Sequence, residues 1–319
     1  MHPGAATSDD VFCTLYHRDA EFAALAEAEL SALGGGAPLE RGVWGSSTPI
    51  RWARCGYGRD GGGLQLAAAA TIDELEAKLT ALAIVAPRFR VRLVRLPKNL
   101  RNTMDPKIRV ADCIDGDPFE DDLDLELLLV ASRAGLRVLI DAPVSPGEAD
   151  WQRASHKPHN YVVALPFRIA QAMLNLSLRP GDTVLDPFCG SGTIPLLAAW
   201  AGHEAYGSDI SGACVARARQ NLAHFGRTAT LLCADARAAQ QRADVVVTNL
   251  PYGLYSHFAG DALGATLANL ATLAPRATFV TSEHIERELE DNGYEIERII
   301  PVEPRRFQRF VYVTRVAGR

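Results

Sequence analysis

The 319-residue chain predicts an α/β protein, in which a C-terminal, mainly parallel, doubly wound sheet of seven strands follows an α+β, ferredoxin-like region. Three observations predict it. From Thr183 onward, strand-like runs alternate with helical ones, the pattern of a parallel sheet with helices on both faces. The first of those runs reads Val184-Leu185-Asp186-Pro187-Phe188-Cys189-Gly190-Ser191-Gly192-Thr193, a strand that turns through glycines into a helix. Ahead of it, shorter runs follow the order β-α-β-β-α-β.

Residues 1–10 lack a charged-then-apolar signal pattern and read as a flexible tail. Val11–Tyr16 reads as a strand and Asp19–Leu33 as a helix stopped by Gly34-Gly35-Gly36. Pro49–Cys55 and Leu64–Ala70 read as paired strands joined by a glycine-rich turn through Gly58 and Gly61–Gly63. Thr71-Ile72-Asp73-Glu74 is a capping box, whose hydroxyl and carboxylate satisfy free amide donors at the start of a helix running to Ile84. Phe89–Leu96 alternates apolar residues with arginines, which predicts a half-buried strand with a basic outer face. Together these elements predict a ferredoxin-like domain over residues 11–96. From 97 to 150 follow a short helix around Lys107–Ile114, an acidic loop, strands Leu125–Ala131 and Leu136–Asp141, and a linker from Pro143 to Asp150.

The third domain, 151–319, carries strand-like runs at Thr183–Asp186, Glu204–Ser208, Thr228–Cys233, Asp244–Thr248, Ala277–Thr281, Ile296–Pro301 and Phe307–Thr314. A short link with Pro301 and Pro304 joins the last two, which are expected to pair antiparallel at the end of the sheet.

Composition narrows the function classes. Apolar residues at 48% and charged residues at 22% exclude a disordered chain. The longest uncharged apolar runs, Leu64–Ile72 and Leu79–Pro87, are too short to span a bilayer. Six dispersed cysteines form no C-x-x-C pair, which points to reduced thiols and the cytoplasm. A net charge of −5 argues against a non-specific nucleic-acid coat. The distribution is uneven, with eight basic residues and one acid from Arg88 to Arg109, then eleven acids and two arginines from Asp112 to Asp150. A basic stretch on an acidic protein suits a specific anionic partner.

Gly190 and Gly192 let backbone approach a ligand, and the helix start behind them favours an anionic group. A dinucleotide fingerprint would place a third glycine at 195, which is Pro195, so a nicotinamide cofactor loses ground. Asp209 closes the second strand and is placed to accept from two ribose hydroxyls; Asp235 closes the third and can meet an adenine amino group. The fourth strand ends in Thr248-Asn249-Leu250-Pro251-Tyr252-Gly253. An aromatic amine is a poor nucleophile because its lone pair is delocalised into the ring. If the Asn249 side-chain oxygen and the Leu250 carbonyl accept its protons, the lone pair can be aimed at an electrophile. Cys189 lies in the loop and is not read as a nucleophile, and His156 and His159 lack companions for a metal, so none is expected. Trp44, Trp52 and Trp200 read as core.

Asn249-Leu250-Pro251-Tyr252 resembles the Asn/Asp-Pro-Pro-aromatic tetrad of class I S-adenosylmethionine-dependent methyltransferases that act on exocyclic amines. Asp186–Gly192 resembles the cofactor loop of their RNA guanosine-N2 branch, and the whole is similar to THUMP-associated tRNA guanosine-N2 methyltransferases of the UPF0020-like type. The catalytic resemblance covers about Pro158 to Arg319, and Leu250 departs from the commoner first proline. The resemblance implies a Rossmann-like class I methyltransferase domain at 151–319 and a short THUMP-like segment and linker at 97–150. It also implies S-adenosyl-L-methionine as cofactor and RNA, specifically tRNA, as the substrate of a monomeric cytoplasmic enzyme. Pro251 would fix the turn and Tyr252 would stack on the target base. Cofactor contacts would fall on Asp186, Pro187, Phe188, Cys189, Gly190, Gly192, Thr193, Asp209, Ile210, Asp235, Ala236 and Asn249, with Ala164, Leu165 and Pro166 folding over its methionine end. RNA contacts would fall on Arg88, Arg90, Arg92, Arg95, Lys98 and Arg101. Two alternatives stand beside this: an adenine-N6 or cytosine-N4 DNA methyltransferase with the same tetrad, and a non-catalytic RNA-binding protein that keeps the methyltransferase shell.

Overall fold

In the computed structural model, which describes residues 10–17, 19, 21–98, 100, 105–146, 148–160, 165–251, 262–302 and 308–318, the chain divides into two units. The first comprises Met1–Arg18, Leu33–Arg54 and Gly58–Pro146, and the second Asp19–Ala32, Cys55–Tyr57 and Gly147–Arg319. In chain order the front half forms β1 (Phe12–Tyr16), α1 (Ala23–Gly34), β2 (Ala37–Glu40), β3 (Val43–Ser46), β4 (Gly58–Ala69), α2 (Ile72–Leu82) and β5 (Ile84–Leu96). It continues with α3 (Pro106–Ala111), β6 (Ile114–Pro118), β7 (Leu125–Ser132) and β8 (Gly135–Asp141).

The strands of the first unit form one sheet in the order β2-β3-β1-β4-β8-β7-β5-β6. This departs from the expected ferredoxin-like unit, which would set the strand after the second helix beside the first strand. Instead β4, β8 and β7 stand between β1 and β5. The cause lies in the hairpin β7–β8. Its Leu127, Leu128, Leu129 and Val130 are each at most 1% exposed, and such an unbroken apolar run belongs in the middle of a sheet covered on both faces. Pro49–Cys55 is not a strand; Trp52–Arg54 is a single 3-10 turn, and the strands are β2 and β3 upstream. The glycine-rich stretch is not a turn but part of β4. A Cβ at Gly63 would collide with the Ile140 carbonyl oxygen and one at Gly62 would lie 2.7 Å from the Cys13 carbonyl oxygen, so glycine there permits close strand approach.

The capping box forms at α2: Glu74 N–H donates to Thr71 Oγ1 at 3.3 Å, and the Glu74 carboxylate accepts from Ala70 N–H at 3.2 Å. The arginines of β5 meet the acidic segment. Arg88 pairs with Asp122 and Asp124, Arg90 and Arg92 share Glu126 at 2.8 and 2.9 Å, and Arg92 also pairs with Asp141. Of the expected RNA contacts, Arg95 and Lys98 carry no ion pair among the described residues, and Arg101 lies outside them.

The second unit holds α4 (Phe167–Ser177), β9 (Val184–Asp186), α5 (Thr193–Trp200), β10 (Ala205–Asp209), α6 (Gly212–His224), β11 (Thr230–Cys233), β12 (Val245–Asn249), α7 (Ala262–Leu273), β13 (Arg276–Thr281), α8 (Glu286–Asp291), β14 (Tyr294–Val302) and β15 (Arg309–Val316). Its strands follow the order β11-β10-β9-β12-β13-β15-β14. All seven expected strands are present, and the last two pair antiparallel, with β15 slotted between β13 and β14 rather than at the edge. Leu185, Val246, Leu250, Phe279 and Tyr312 pack the core beneath the sheet's carboxyl edge. The strand order reverses between β9 and β12, which opens a crevice at their carboxyl ends.

Helix α1, expected with the front region, groups as far as Ala32 with this second unit, where Glu29 is bound. Its carboxylate, fully buried, accepts from Gly56 N–H at 2.6 Å, Tyr57 N–H at 3.2 Å and Asn175 Nδ2 at 2.7 Å. Among the described residues no helix is long and apolar enough to cross a membrane.

Candidate active site

Four side chains end four adjacent strands on one edge: Asp235 just past β11, Asp209 on β10, Asp186 on β9 and Asn249 on β12. The ladder staggers them along that edge: Gly207 stands opposite Asp186 and Cys233 opposite Asp209, so Asp209 and Asp235 each reach two residues farther than the strand before. Parallel pairing gives every strand the same polarity, so residues read as strand-terminal must converge on one rim.

Asp186 is 2% exposed and sits at the centre. Its Oδ1 accepts from Thr248 Oγ1 at 2.6 Å and from Phe188 N–H at 3.1 Å. Burial raises its carboxyl to about 7, against the pull of those two donors and with a small push from Asp209. Thr248 ties β9 to β12 one residue before Asn249, a link the sequence reading missed although the hydroxyl adjoins the tetrad.

The loop after β9 is held by backbone bonds: Cys189 N–H to Ser208 O at 2.9 Å and Gly192 N–H to Cys189 O at 2.7 Å. Gly192 has φ +80°, and a Cβ there would lie 2.9 Å from Ala218 Cβ, so the loop requires glycine. Asp209 accepts from Gly190 N–H at 3.0 Å and Ser211 N–H at 2.9 Å, one bond per oxygen, which leaves each oxygen able to accept another. Asp235 is different. Its carboxylate accepts from Arg237 at 2.5–3.1 Å through both oxygens, and from the Arg237 backbone N–H at 2.9 Å, so its acceptors are already engaged. The pairing with Arg237 holds that carboxyl below its usual range.

Asn249 Oδ1 is buried with no hydrogen-bond partner among the described residues, while the following N–H, of Leu250, is spent on Val280 O at 3.0 Å. Ser191 and Ser208, which flank the loop, likewise hold buried hydroxyls with no partner. Unpaired buried polar atoms are uncommon, and three of those found among the described residues lie on this rim. Ile210 beside them is 72% exposed, an apolar face left open, and Ala236 is buried. Burial pushes the Cys189 thiol far up, which leaves it inert as a nucleophile. Pro166 caps α4 and Leu165 is buried; Ala164 and Tyr252 lie outside the described residues.

Two further residues escaped the sequence reading. Asn221, 0% exposed in mid-helix, donates to Ser191 O at 2.8 Å and His159 O at 2.9 Å and accepts from His159 N–H at 2.9 Å. It thereby clamps the segment before α4 to the glycine loop. Lys157, 5% exposed, donates to Thr193 Oγ1 at the start of α5. Among the described residues His156 bonds its neighbour Ser155 Oγ, at 2.9 Å.

This geometry accords with the comparisons. Residues 155–262 match the family model described as UPF0020, RMKL-like, methyltransferase domain. That match lies wholly within the second unit. The tRNA (guanine(10)-N2)-dimethyltransferase of Methanothermobacter thermautotrophicus is 35% identical over 124 residues, 38% of this chain and 37% of that protein. The protein of the same name from Pyrococcus abyssi is 40% identical over 79 residues, 25% of this chain and 24% of its own. The match therefore spans well under half of these curated relatives. The crystal structure of TrmN from Thermus thermophilus shares the fold, with a TM-score of 0.52 and 22% identity over 96% of this chain and 99% of that one.

Proposed function

We propose that the methyltransferase domain moves a methyl group from S-adenosylmethionine to the exocyclic N2 of a guanine in tRNA. The observation that carries this is Asn249 Oδ1, a buried acceptor with no partner among the described residues at the end of β12, beside a ligand rim built by Asp186, Asp209 and the glycine loop. The names of the two curated relatives supply the base, the atom and the RNA.

The rim fits the cofactor. Asp209 retains two acceptor sites for ribose hydroxyls, Ile210 offers an apolar face to adenine, and the backbone at Gly190 and Gly192 permits close approach. Asp235 meets the adenine amino group only by exchanging Arg237, and that pair is exposed and screened by water. Bound there, S-adenosylmethionine supplies a methyl on a sulfonium, an electrophile that needs no covalent enzyme intermediate.

The chain's own residues position the nucleophile. Asn249 Oδ1 and the Leu250 carbonyl accept the two amine protons and turn the nitrogen lone pair toward the methyl. Pro251 holds that carbonyl in place, and Tyr252 stacks on the base once it has left its stem or loop. As that methyl passed to the nitrogen, the sulfur would keep the electron pair of the broken S–CH3 bond, and the proton held by Asn249 Oδ1 or the Leu250 carbonyl would pass to solvent. Leu250 in place of a proline leaves this intact, because the working group is a backbone oxygen. In the front unit, Arg95 and Lys98 are cations of the basic stretch that no carboxylate among the described residues matches, and they contact RNA phosphate.

Mass spectrometry of nucleosides from a deletion strain tests this reading. Loss of N2-methylated guanosine from tRNA supports it, and loss of N6-methyladenine or N4-methylcytosine from DNA with intact tRNA overturns it. RNA binding without transfer of labelled methyl to any RNA pool would leave only the non-catalytic shell.

A further inference from the structure

On the carboxyl edge that carries Asn249, two rings stand together at the end of β13. The ladder places them: Asn249 is opposite Val280 on β13, and Thr281, next along, is opposite Phe310 on β15. Phe310 is therefore two strands from Asn249 and one residue along, roughly 10 Å across the rim at ordinary strand spacing. Phe310 packs against the core cluster that includes Leu250 of the tetrad, which roots the ring beside the site. His284, three residues past Thr281, tilts over Phe310 with the ring centroids 4.4 Å apart. Its side chain is 68% exposed, yet it is held in place. Nδ1 donates to Glu286 Oε1 at 3.0 Å, and the same oxygen accepts from the hydroxyl of the buried Tyr312 at 3.1 Å. Fixing an exposed side chain costs conformational entropy, so the imidazole stands preformed and open to solvent at the rim. In sequence, Arg305, Arg306 and Arg309 lead into β15 with no acid from Pro304 to Arg309.

We propose that His284 and Phe310 form a stacking platform for an unpaired nucleobase of the substrate RNA, next to the guanosine held at Asn249. This rests on the reading of the domain as a tRNA methyltransferase. A guanine drawn out to Asn249 leaves its neighbours unstacked, and an aromatic face returns the stacking they lose. Stacking needs π surface rather than a hydrogen-bond pattern, so the platform accepts any base. The arginines ahead of Phe310 suit the phosphates that such a strand carries with it. The pair serves affinity for the RNA and takes no part in methyl transfer or in holding the cofactor.

Steady-state methylation of unfractionated tRNA, beside calorimetry with S-adenosylhomocysteine, tests this. His284→Ala should raise KM for tRNA roughly 5- to 100-fold, the effect of losing one stacked base, and leave kcat and S-adenosylhomocysteine affinity within about threefold. Phe310→Leu, which keeps apolar volume in the core, should raise KM in the same way; if it does not fold, the exposed His284 decides the matter alone. His284→Phe returns a ring and should restore most of the loss. His284→Gln keeps a donor for Glu286 without a ring and should not. If the wild-type protein methylates tRNA and His284→Ala leaves KM unchanged, the platform is overturned and the function stands. The same holds if glutamine rescues where phenylalanine does not, or if S-adenosylhomocysteine affinity falls in step with the RNA. If the wild-type protein transfers no methyl to tRNA, both readings fall.

Discussion

Replacing Asn249 by alanine should separate stability from catalysis. In the folded protein Oδ1 is buried and unpaired, a condition that costs about 1–3 kcal/mol relative to a satisfied acceptor. The side chain is only half-buried and contributes no methyl group to the core, so truncation forfeits little packing. The free energy of unfolding should therefore stay level or rise by up to about 1 kcal/mol. Turnover should do the opposite. Loss of one pre-aimed polar group costs about 10²–10³ in rate, equivalent to about 2.7–4 kcal/mol of transition-state stabilisation. The assay is single-turnover transfer of labelled methyl to tRNA at saturating cofactor, run beside calorimetry with S-adenosylhomocysteine and urea unfolding. A variant that keeps its turnover at saturation but loses cofactor affinity, or one that unfolds far earlier in urea, would refute the assignment of Oδ1 to the amine.

Asp209→Ala should weaken S-adenosylhomocysteine by about 1.5–3 kcal/mol and leave turnover at saturation largely intact; unchanged affinity in calorimetry would remove it from the ribose. Asp186→Asn should flatten the pH dependence of stability. Burial raises this carboxyl from 3.8 to about 7, so its favourable contribution is full below the unfolded value and is lost as pH rises through the folded one, a span on the order of 4 kcal/mol. Urea midpoints at about pH 5 and pH 8 should diverge for the wild type more than for the variant, and parallel shifts would count against a buried carboxyl. Arg92→Ala should destabilise the first unit by about 1–3 kcal/mol, because Asp141, its side chain 7% exposed, loses its cation. If unfolding were unchanged and only RNA affinity fell, the ion pair would be structurally idle.

The second unit was legible because its signals are local. A strand that ends in an acid and turns through glycine declares its own polarity, and parallel neighbours bring such ends together without further information. Hence Asp186, Asp209, Asp235 and Asn249 stand where their strand ends place them. The front unit was less so, because its sheet is assembled from partners distant in sequence. Nothing local in Phe89–Leu96 says that it will join Leu125–Ser132 rather than Phe12–Tyr16. The same remoteness hid the fate of the arginines, read as free for phosphate until the acidic stretch 36 residues on turned out to face them. Lys157 escaped for the opposite reason: a lysine between histidine and proline looks solvated, and only packing reveals that it is not.

Helix α1 also has a history imposed by synthesis. Its Glu29 is completed by Gly56 and Tyr57 and then by Asn175, which leaves the ribosome 146 residues later. At about 5–20 residues per second, that is a wait of roughly 7–30 s for the last partner. Meanwhile Leu25, Ala26 and Leu30, buried in the finished protein, await much of the surface they pack on. The second unit is thus begun at Asp19, before the first is complete, and finished after it. A gene fragment that starts at residue 151 would make every strand of the second sheet, yet it would leave Asn175 without the carboxylate it binds.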